Sequence, residues 1–260
     1  VVYAMEALDV LRERERQSGN CGSNLAVQTA RQAIAGDANI AAVAALLADP
    51  ARAEMLLALA DGRTLPAGEL ARRARIAPST ASAHLAKLVN SGFVAVETWG
   101  RHRYFRLISP EMADAIEALA MVAPSTPVRS LRQSETAAAI RYARTCYQHL
   151  AGAVGVALTQ ALEDQGYLIA QNEGYLLSET GYERFAAFGV QVAGRRTLPQ
   201  IVPHHIDWSE RRRHVAGPLA VALTHQLFAR SWIIRAPSSR AARLTDAGRE
   251  GLRDWFGLAV

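Results

Sequence analysis

The run from His149, HLAGAVGVALTQALEDQGYL, returns 65 positions later as HVAGPLAVALTHQLFARSWI from His214. The histidine, the Ala-Gly pair, Val156/Val221, Ala157/Ala222, Leu158/Leu223, Thr159/Thr224 and Leu162/Leu227 coincide. A second pair follows: LSETGYERFAAFG from Leu177 matches LTDAGREGLRDWFG from Leu244 with small gaps. Alanine-rich helices share residue types by chance, but agreement through two separate motifs points to an internal repeat, and a repeated sequence folds one unit twice. Each copy reads helix, strand, turn, strand, helix, with Ser178 and Thr245 capping the final helices. The expectation for residues 131–260 is two helix–hairpin–helix units, residues 131–189 and 206–257, packed about a pseudo-twofold axis.

Ahead of the repeat the pattern differs. Residues 1–36 are polar and turn-rich (RERERQSGNCGSN) and read as an extension with one short helix around residues 4–16. Helical periodicity starts near Asn39. Asp49-Pro50 reads as an N-cap with proline in the first turn, and Gly62 as a stop. In IAPSTASAHLAKL, residues 76–88, Ala81, Leu85, Leu88 and Val89 share one apolar helix face. The other face carries only Ser79, Thr80, Ala83, Ala86, Lys87 and Asn90, where an ordinary solvated face would carry charge pairs. Residues 93–107, FVAVETWGRHRYFRL, switch to strand alternation around a Gly-Arg turn, a hairpin with a basic tip. Another helix follows Ser109-Pro110, and APSTPVRS, residues 123–130, is a linker. The fold class is therefore mainly α with small β-hairpins: residues 37–122 as one domain, 131–260 as a second.

Short helices followed by a hairpin form a helix-turn-helix with a wing. A major groove admits a helix whose exposed face is slim enough to bring short polar groups to base edges. Thr80, Ser82, His84 and Lys87 can donate to bases or phosphates, Ser79, Ala83 and Ala86 permit close approach, and Arg101 and Arg103 make the wing tip basic. Charge agrees: between residues 67 and 106, seven cations stand against two anions, a surplus of five that equals the formal net charge of the chain. That is the electrostatic footprint of a DNA binder.

Residues 38–122 resemble the ArsR/SmtB-type winged-helix regulators through ADPARAEMLLALADG, LPAGELARRARIAPSTASAHLAKLVNSGFV and GRHRYFRLI. The resemblance implies a homodimer paired through the first helix and the helix after the wing. It further implies DNA contacts from Ser79, Thr80, Ser82 and His84 on the helix and from Arg101 and Arg103 on the wing, a palindromic double-stranded operator, and release by an inducer: a metal ion, a thiol-reactive agent or a small organic ligand. Where the family often carries a second histidine in the reading helix, this chain has Ala83. The family's best-known metal sites are missing, since GELARRARI lacks a Cys-x-Cys pair and SPEMADAIEALAMVA offers acids without histidine.

The C-terminal half holds Cys146 and five of the seven histidines. Thiolate and imidazole are the donors that Zn²⁺ and related transition metals prefer. It also resembles a longer subgroup of these regulators in which a CYDHLAG segment pairs with CLDWSERRPHLAG; here His205 stands at the second cysteine. The candidate metal site is Cys146, His149, His205 and His214. On the sequence reading, Cys146 and His149 share a helical face, His149 and His214 begin the long helices of their units, and His205 lies in a loop. The competing expectation is a purely structural C-terminal half in which these residues pack or hydrogen-bond.

Two cysteines, Cys21 and Cys146, are too few for a disulfide framework and suit a reducing cytoplasm. The longest weakly polar run, residues 150–162, is shorter than the ~20 residues a bilayer span requires. A phosphate-binding glycine loop, a nucleophile elbow and an HExxH helix are all missing, so an enzyme carrying a DNA-binding domain is the weaker reading.

Overall fold

The computed structural model describes residues 37–124, 126–191, 201–237 and 239–260; the extension expected at residues 1–36 lies outside them. Helix α1 (Ile40–Leu47) leads into α2 (Pro50–Leu59), whose cap Asp49 accepts a hydrogen bond from the Arg52 backbone N–H. After strand β1 (Leu65–Pro66) come α3 (Ala67–Ala74) and α4 (Pro78–Asn90). Pro78 opens α4, where its missing N–H is not needed.

Strands β2 (Val94–Trp99) and β3 (His102–Leu107) pair from Val94↔Leu107 to Trp99↔His102 around Gly100-Arg101. Leu65-Pro66 adds a third strand, Leu65 opposite Phe105, which the sequence pattern did not disclose. Helix α5 (Pro110–Val122) follows. The apolar stripe of α4 is buried at Ala81, Leu85 and Leu88, against Met55, Leu56, Leu59, Leu70, Phe105 and Leu107. Helices α2, α3 and α4 with the three-stranded sheet make a winged helix-turn-helix.

Beyond α6 (Leu131–Tyr142) the order strand, strand, helix, strand, strand, helix occurs twice. The first set is β4 (Arg144–Cys146), β5 (His149–Ala151), α7 (Gly152–Asp164), β6 (Leu168–Gln171), β7 (Gly174–Leu177) and α8 (Glu179–Ala187). After β8 (Ile201–Val202), which pairs with β7, the second is β9 (His204–Ile206), β10 (Arg213–Val215), α9 (Gly217–Ala229), β11 (Ile233–Arg235), β12 (Ala242–Leu244) and α10 (Asp246–Phe256).

This corrects three local expectations. Cys146 and His149 do not share a helix; they face each other across the β4–β5 hairpin. Tyr147 and Gln148 both have positive φ, 38° and 74°, the backbone of a two-residue hairpin turn, so the chain reverses where a helix would continue. His205 lies on β9 opposite His214 on β10. The long helices start three residues after His149 and His214.

The two sets correspond in detail. Ser178 accepts from Gly181 N–H and donates to the Tyr167 carbonyl; Thr245 accepts from Gly248 N–H and donates to the Trp232 carbonyl. A Cβ on Gly181 or Gly248 would lie 2.2 or 2.1 Å from those same carbonyl oxygens, so only glycine fits. Thr159 on α7 accepts from Val215 N–H, and Thr224 on α9 accepts from Leu150 N–H, both at 2.9 Å. Each set thus satisfies a buried strand donor of the other, as two units about a local twofold would. Leu158, Leu162, Leu223, Leu227, Phe185 and Phe256 belong to one shared core.

The β4–β5 turn docks on the winged helix. Tyr147 N–H donates to the Ala60 carbonyl at 2.7 Å, and Gln148 N–H to that of Asp61 at 3.2 Å, just past α2. Glu117 of α5 pairs with Arg144 and Arg240.

Candidate DNA interface and metal centre

On α4, Ser79, Thr80, Ser82 and Lys87 are exposed, and Ser82 Oγ donates to the Pro78 carbonyl at 3.0 Å. His84 is turned away from them. Its Nδ1 lies 3.4 Å from Arg52 Nη1 and 3.8 Å from Asp49 Oδ1, and its side chain is largely buried. Position 84 is three residues past Ala81 and four before Leu88, so it borders the core stripe. Arg101, His102 and Arg103 are exposed at the wing tip, beside an exposed Trp99 that leans on Tyr104 with ring centroids 5.4 Å apart. Arg106 is engaged by Glu97 at 2.7 Å, and Arg73 by Glu69. Arg72 and Arg75 at the end of α3 are exposed. These two, with His102 and Trp99, are further groups on the α3–α4 and wing surface that the sequence reading did not single out; the charge count alone marked the arginines.

Among the described residues the second site is the group the sequence nominated. The Sγ of Cys146 and one nitrogen each of His149, His205 and His214 all lie within 4.8 Å of one another. His149 Nε2 and His214 Nε2 are 3.2 Å apart. Two imidazoles on one tetrahedral Zn²⁺, at about 2.0–2.1 Å each, hold their nitrogens about 3.3 Å apart. His205 sits edge-on to both, with ring centroids at 5.1 and 5.9 Å. Cys146, His149 and His214 are buried and His205 is partly exposed. The donor set, one soft sulfur and three imidazoles, suits Zn²⁺ or Co²⁺.

Burial sets the protonation states. It pushes the Cys146 thiol far up, aided by Glu117. It drives His149 well below the usual imidazole range and His214 down to about 4; His205 lowers both further. His149 and His214 are therefore neutral and ready to ligate at pH 7, while the thiol surrenders its proton only to a cation that replaces it.

Around the ligands lies a polar shell. Asp207 is fully buried. Oδ2 accepts from Arg144 Nη2 at 2.9 Å and Gly152 N–H at 2.7 Å, and Oδ1 accepts from Ser209 and Glu210. Burial alone would raise its pKa, but Arg144 and these hydrogen bonds hold it down to about 2. Asp207 Oδ2 lies 3.9 Å from His214 Nδ1, and Asp114 Oδ1 lies 3.3 Å from His205 Nε2. Arg144, also fully buried, has Trp208 beneath its guanidinium at 4.8 Å. The sequence did not single out Asp114, Glu117 or Arg144, because their importance lies in partners distant along the chain.

A winged helix with a slim polar reading face and a basic wing defines a DNA-binding regulator. Residues 47–97 match a family model described as a helix-turn-helix domain. The chain is 42% identical over 212 residues to an uncharacterized HTH-type transcriptional regulator, YdfF, of Bacillus subtilis (strain 168), spanning 81% of this chain and 94% of that protein. It belongs to the HTH-type transcriptional regulators. Among solved structures, HlyU from Vibrio cholerae N16961 is 29% identical over 32% of this chain and 89% of its own, with a TM-score of 0.30. The transcriptional repressor BigR from Xylella fastidiosa is 24% identical over 34% of this chain and 88% of its own, with a TM-score of 0.31. Among the described residues no helix is long and apolar enough to cross a membrane.

Proposed function

We propose that the chain is an ArsR-type repressor that binds a palindromic operator as a homodimer and is released when Zn²⁺ or a similar transition metal fills the Cys146–His149–His205–His214 site. Ser79, Thr80, Ser82 and Lys87 contact the major groove, Arg101 and Arg103 the backbone flanking it, and His84 holds α4 against Asp49 and Arg52. The C-terminal half is the sensing module, built from two copies of one unit that meet at the metal.

The observation that carries this reading is position. The four donors lie where the C-terminal module meets the winged helix: Cys146 and His149 flank a turn hydrogen-bonded to the end of α2, and His205 is one carboxylate away from α5. A metal drawing them together acts on the elements that carry the DNA-binding helix. Dimerisation through α1 and α5 is supported by α1, which is wholly apolar yet buries none of its residues, and by exposed Leu119 and Val122 on α5. A thiol-reactive inducer is disfavoured by the burial of Cys146 and its raised pKa.

The test uses an operator selected from a random duplex pool. Adding Zn²⁺ to the metal-free dimer is expected to weaken operator binding by roughly 5- to 150-fold, the usual range of such couplings. Equal affinity of the metal-free and metal-loaded forms would leave a structural metal and remove the sensor. Sedimentation of the chain as a monomer at micromolar concentration would remove the dimer.

A further inference from the structure

We propose that Asp114 is the positioning residue of the metal site: it turns His205 so that Nδ1 faces the ion, and it ties occupancy of the site to helix α5. This rests on the metal reading above and goes beyond it by naming the residue through which the winged helix feels the ligand.

Three observations lead there. The Asp114 carboxylate is not among the four converging donors, yet it lies 3.3 Å from His205 Nε2 and so touches a ligand from outside. With Nε2 on Asp114, the other ring nitrogen, Nδ1, is buried and has no hydrogen-bond partner. An unpaired buried polar atom is destabilising unless the site is built for something that fills it. Of the other two histidines, His149 is held by a hydrogen bond to the backbone of Tyr147, while His214 turns Nε2 to His149 and has the Asp207 carboxylate 3.9 Å from a buried Nδ1 that makes no hydrogen bond.

The chemistry follows from having two nitrogens on one ring. A carboxylate accepting Nε2–H fixes the tautomer, directs the Nδ1 lone pair at the metal and raises its donor strength. Asp114 and Glu117 lie one turn apart on α5. Glu117 reaches the site by a second route, through Arg144 to Asp207, which backs His214. Two of the four donors, His205 and His214, therefore connect to one helix. Asp114 is half exposed, so removing its carboxylate leaves the core intact.

The test is a Co²⁺ titration of the full chain, with Co²⁺ as a visible stand-in for Zn²⁺, combined with amide exchange of residues 110–122. Wild type is expected to bind one Co²⁺ per chain with a thiolate charge-transfer band, and its α5 amides to exchange more slowly when loaded. Asp114→Ala is expected to keep the band, to bind Co²⁺ 10- to 100-fold more weakly, and to lose the slowing in α5; Asp114→Glu is expected to restore part of both. An Asp114→Ala protein that retains either wild-type affinity or wild-type slowing overturns the proposal while the metal site stands. Failure of wild type to bind Co²⁺ overturns the site and the proposal together.

Discussion

His149 and His214, 65 residues apart and equivalent in the repeat, meet with their Nε2 atoms 3.2 Å apart. Equivalent residues approach each other only near the axis relating two copies, so this contact marks that axis. Thr159 and Thr224 cross it reciprocally, each accepting from a strand N–H of the other unit. Cys146 from the first unit and His205 from the second complete the group. The site is thus made by the interface between units, and neither unit holds it alone.

Metal binding at this site is expected to depend on its one sulfur. Cys146→Ser is expected to abolish the thiolate-to-Co²⁺ charge-transfer band and to lower Zn²⁺ affinity by at least tenfold, with stoichiometry followed by elemental analysis. Retention of full Zn²⁺ content after competition with a chelator would take Cys146 out of the ligand set.

The reciprocal threonines test the pairing of the units. Thr159→Val leaves the Val215 N–H buried and unpaired, and Thr224→Val does the same to Leu150. Each is expected to destabilise the protein by about 1–3 kcal/mol in urea unfolding, and by similar amounts because the sites are equivalent. A neutral substitution at either position would show that its hydrogen bond adds nothing to the interface.

Acid should unfold the metal-free protein early. His214 is held neutral, its pKa lowered from the ordinary 6.5 to about 4 chiefly by burial. A depressed folded pKa stabilises above the unfolded value and loses that contribution as pH falls through the folded one. Stability of the chelated protein should therefore decline from pH 6.5 to 4, by on the order of 3 kcal/mol for this group. Asp207, held down to about 2 from the ordinary 3.8, loses its own contribution mainly below this window, as the unfolded carboxyl takes up a proton. A urea midpoint unchanged over this range would contradict a buried neutral His214.

On the DNA side, Ser79 and His84 should behave differently although they lie five residues apart on one helix. Ser79→Glu places an anion on the exposed face and is expected to abolish operator binding without altering thermal stability. His84→Ala removes a largely buried contact with Asp49 and Arg52 and is expected to lower stability. Operator binding by folded Ser79→Glu at wild-type affinity would reverse the assigned orientation of α4.

The wing makes a salt-dependent prediction. Replacing both Arg101 and Arg103 by Ala is expected to weaken binding to any duplex and to reduce the slope of log affinity against log salt by about one to two. An unaltered slope would place the wing off the DNA.

Local rules were enough for much of this. The period of Ala81, Leu85 and Leu88, the caps at Asp49, Ser178 and Thr245, and the alternation in the wing act within a few residues, so sequence alone determined the helices of the winged domain and its hairpin. The 65-residue repeat went further and determined that His149 and His214 are equivalent. Three features were left to tertiary structure. Tyr147 and Gln148 take left-handed backbone conformations, and their N–H groups are held by the carbonyls of Ala60 and Asp61, so a segment that reads as helix becomes a hairpin. His84 turns toward Asp49 and Arg52 on another helix. Asp114 meets His205 from 91 positions away, on an element whose own pattern shows only a helix with acids. In each case the deciding partner is remote along the chain, and a hydrogen bond or charge contact of that kind exists only after the elements have packed.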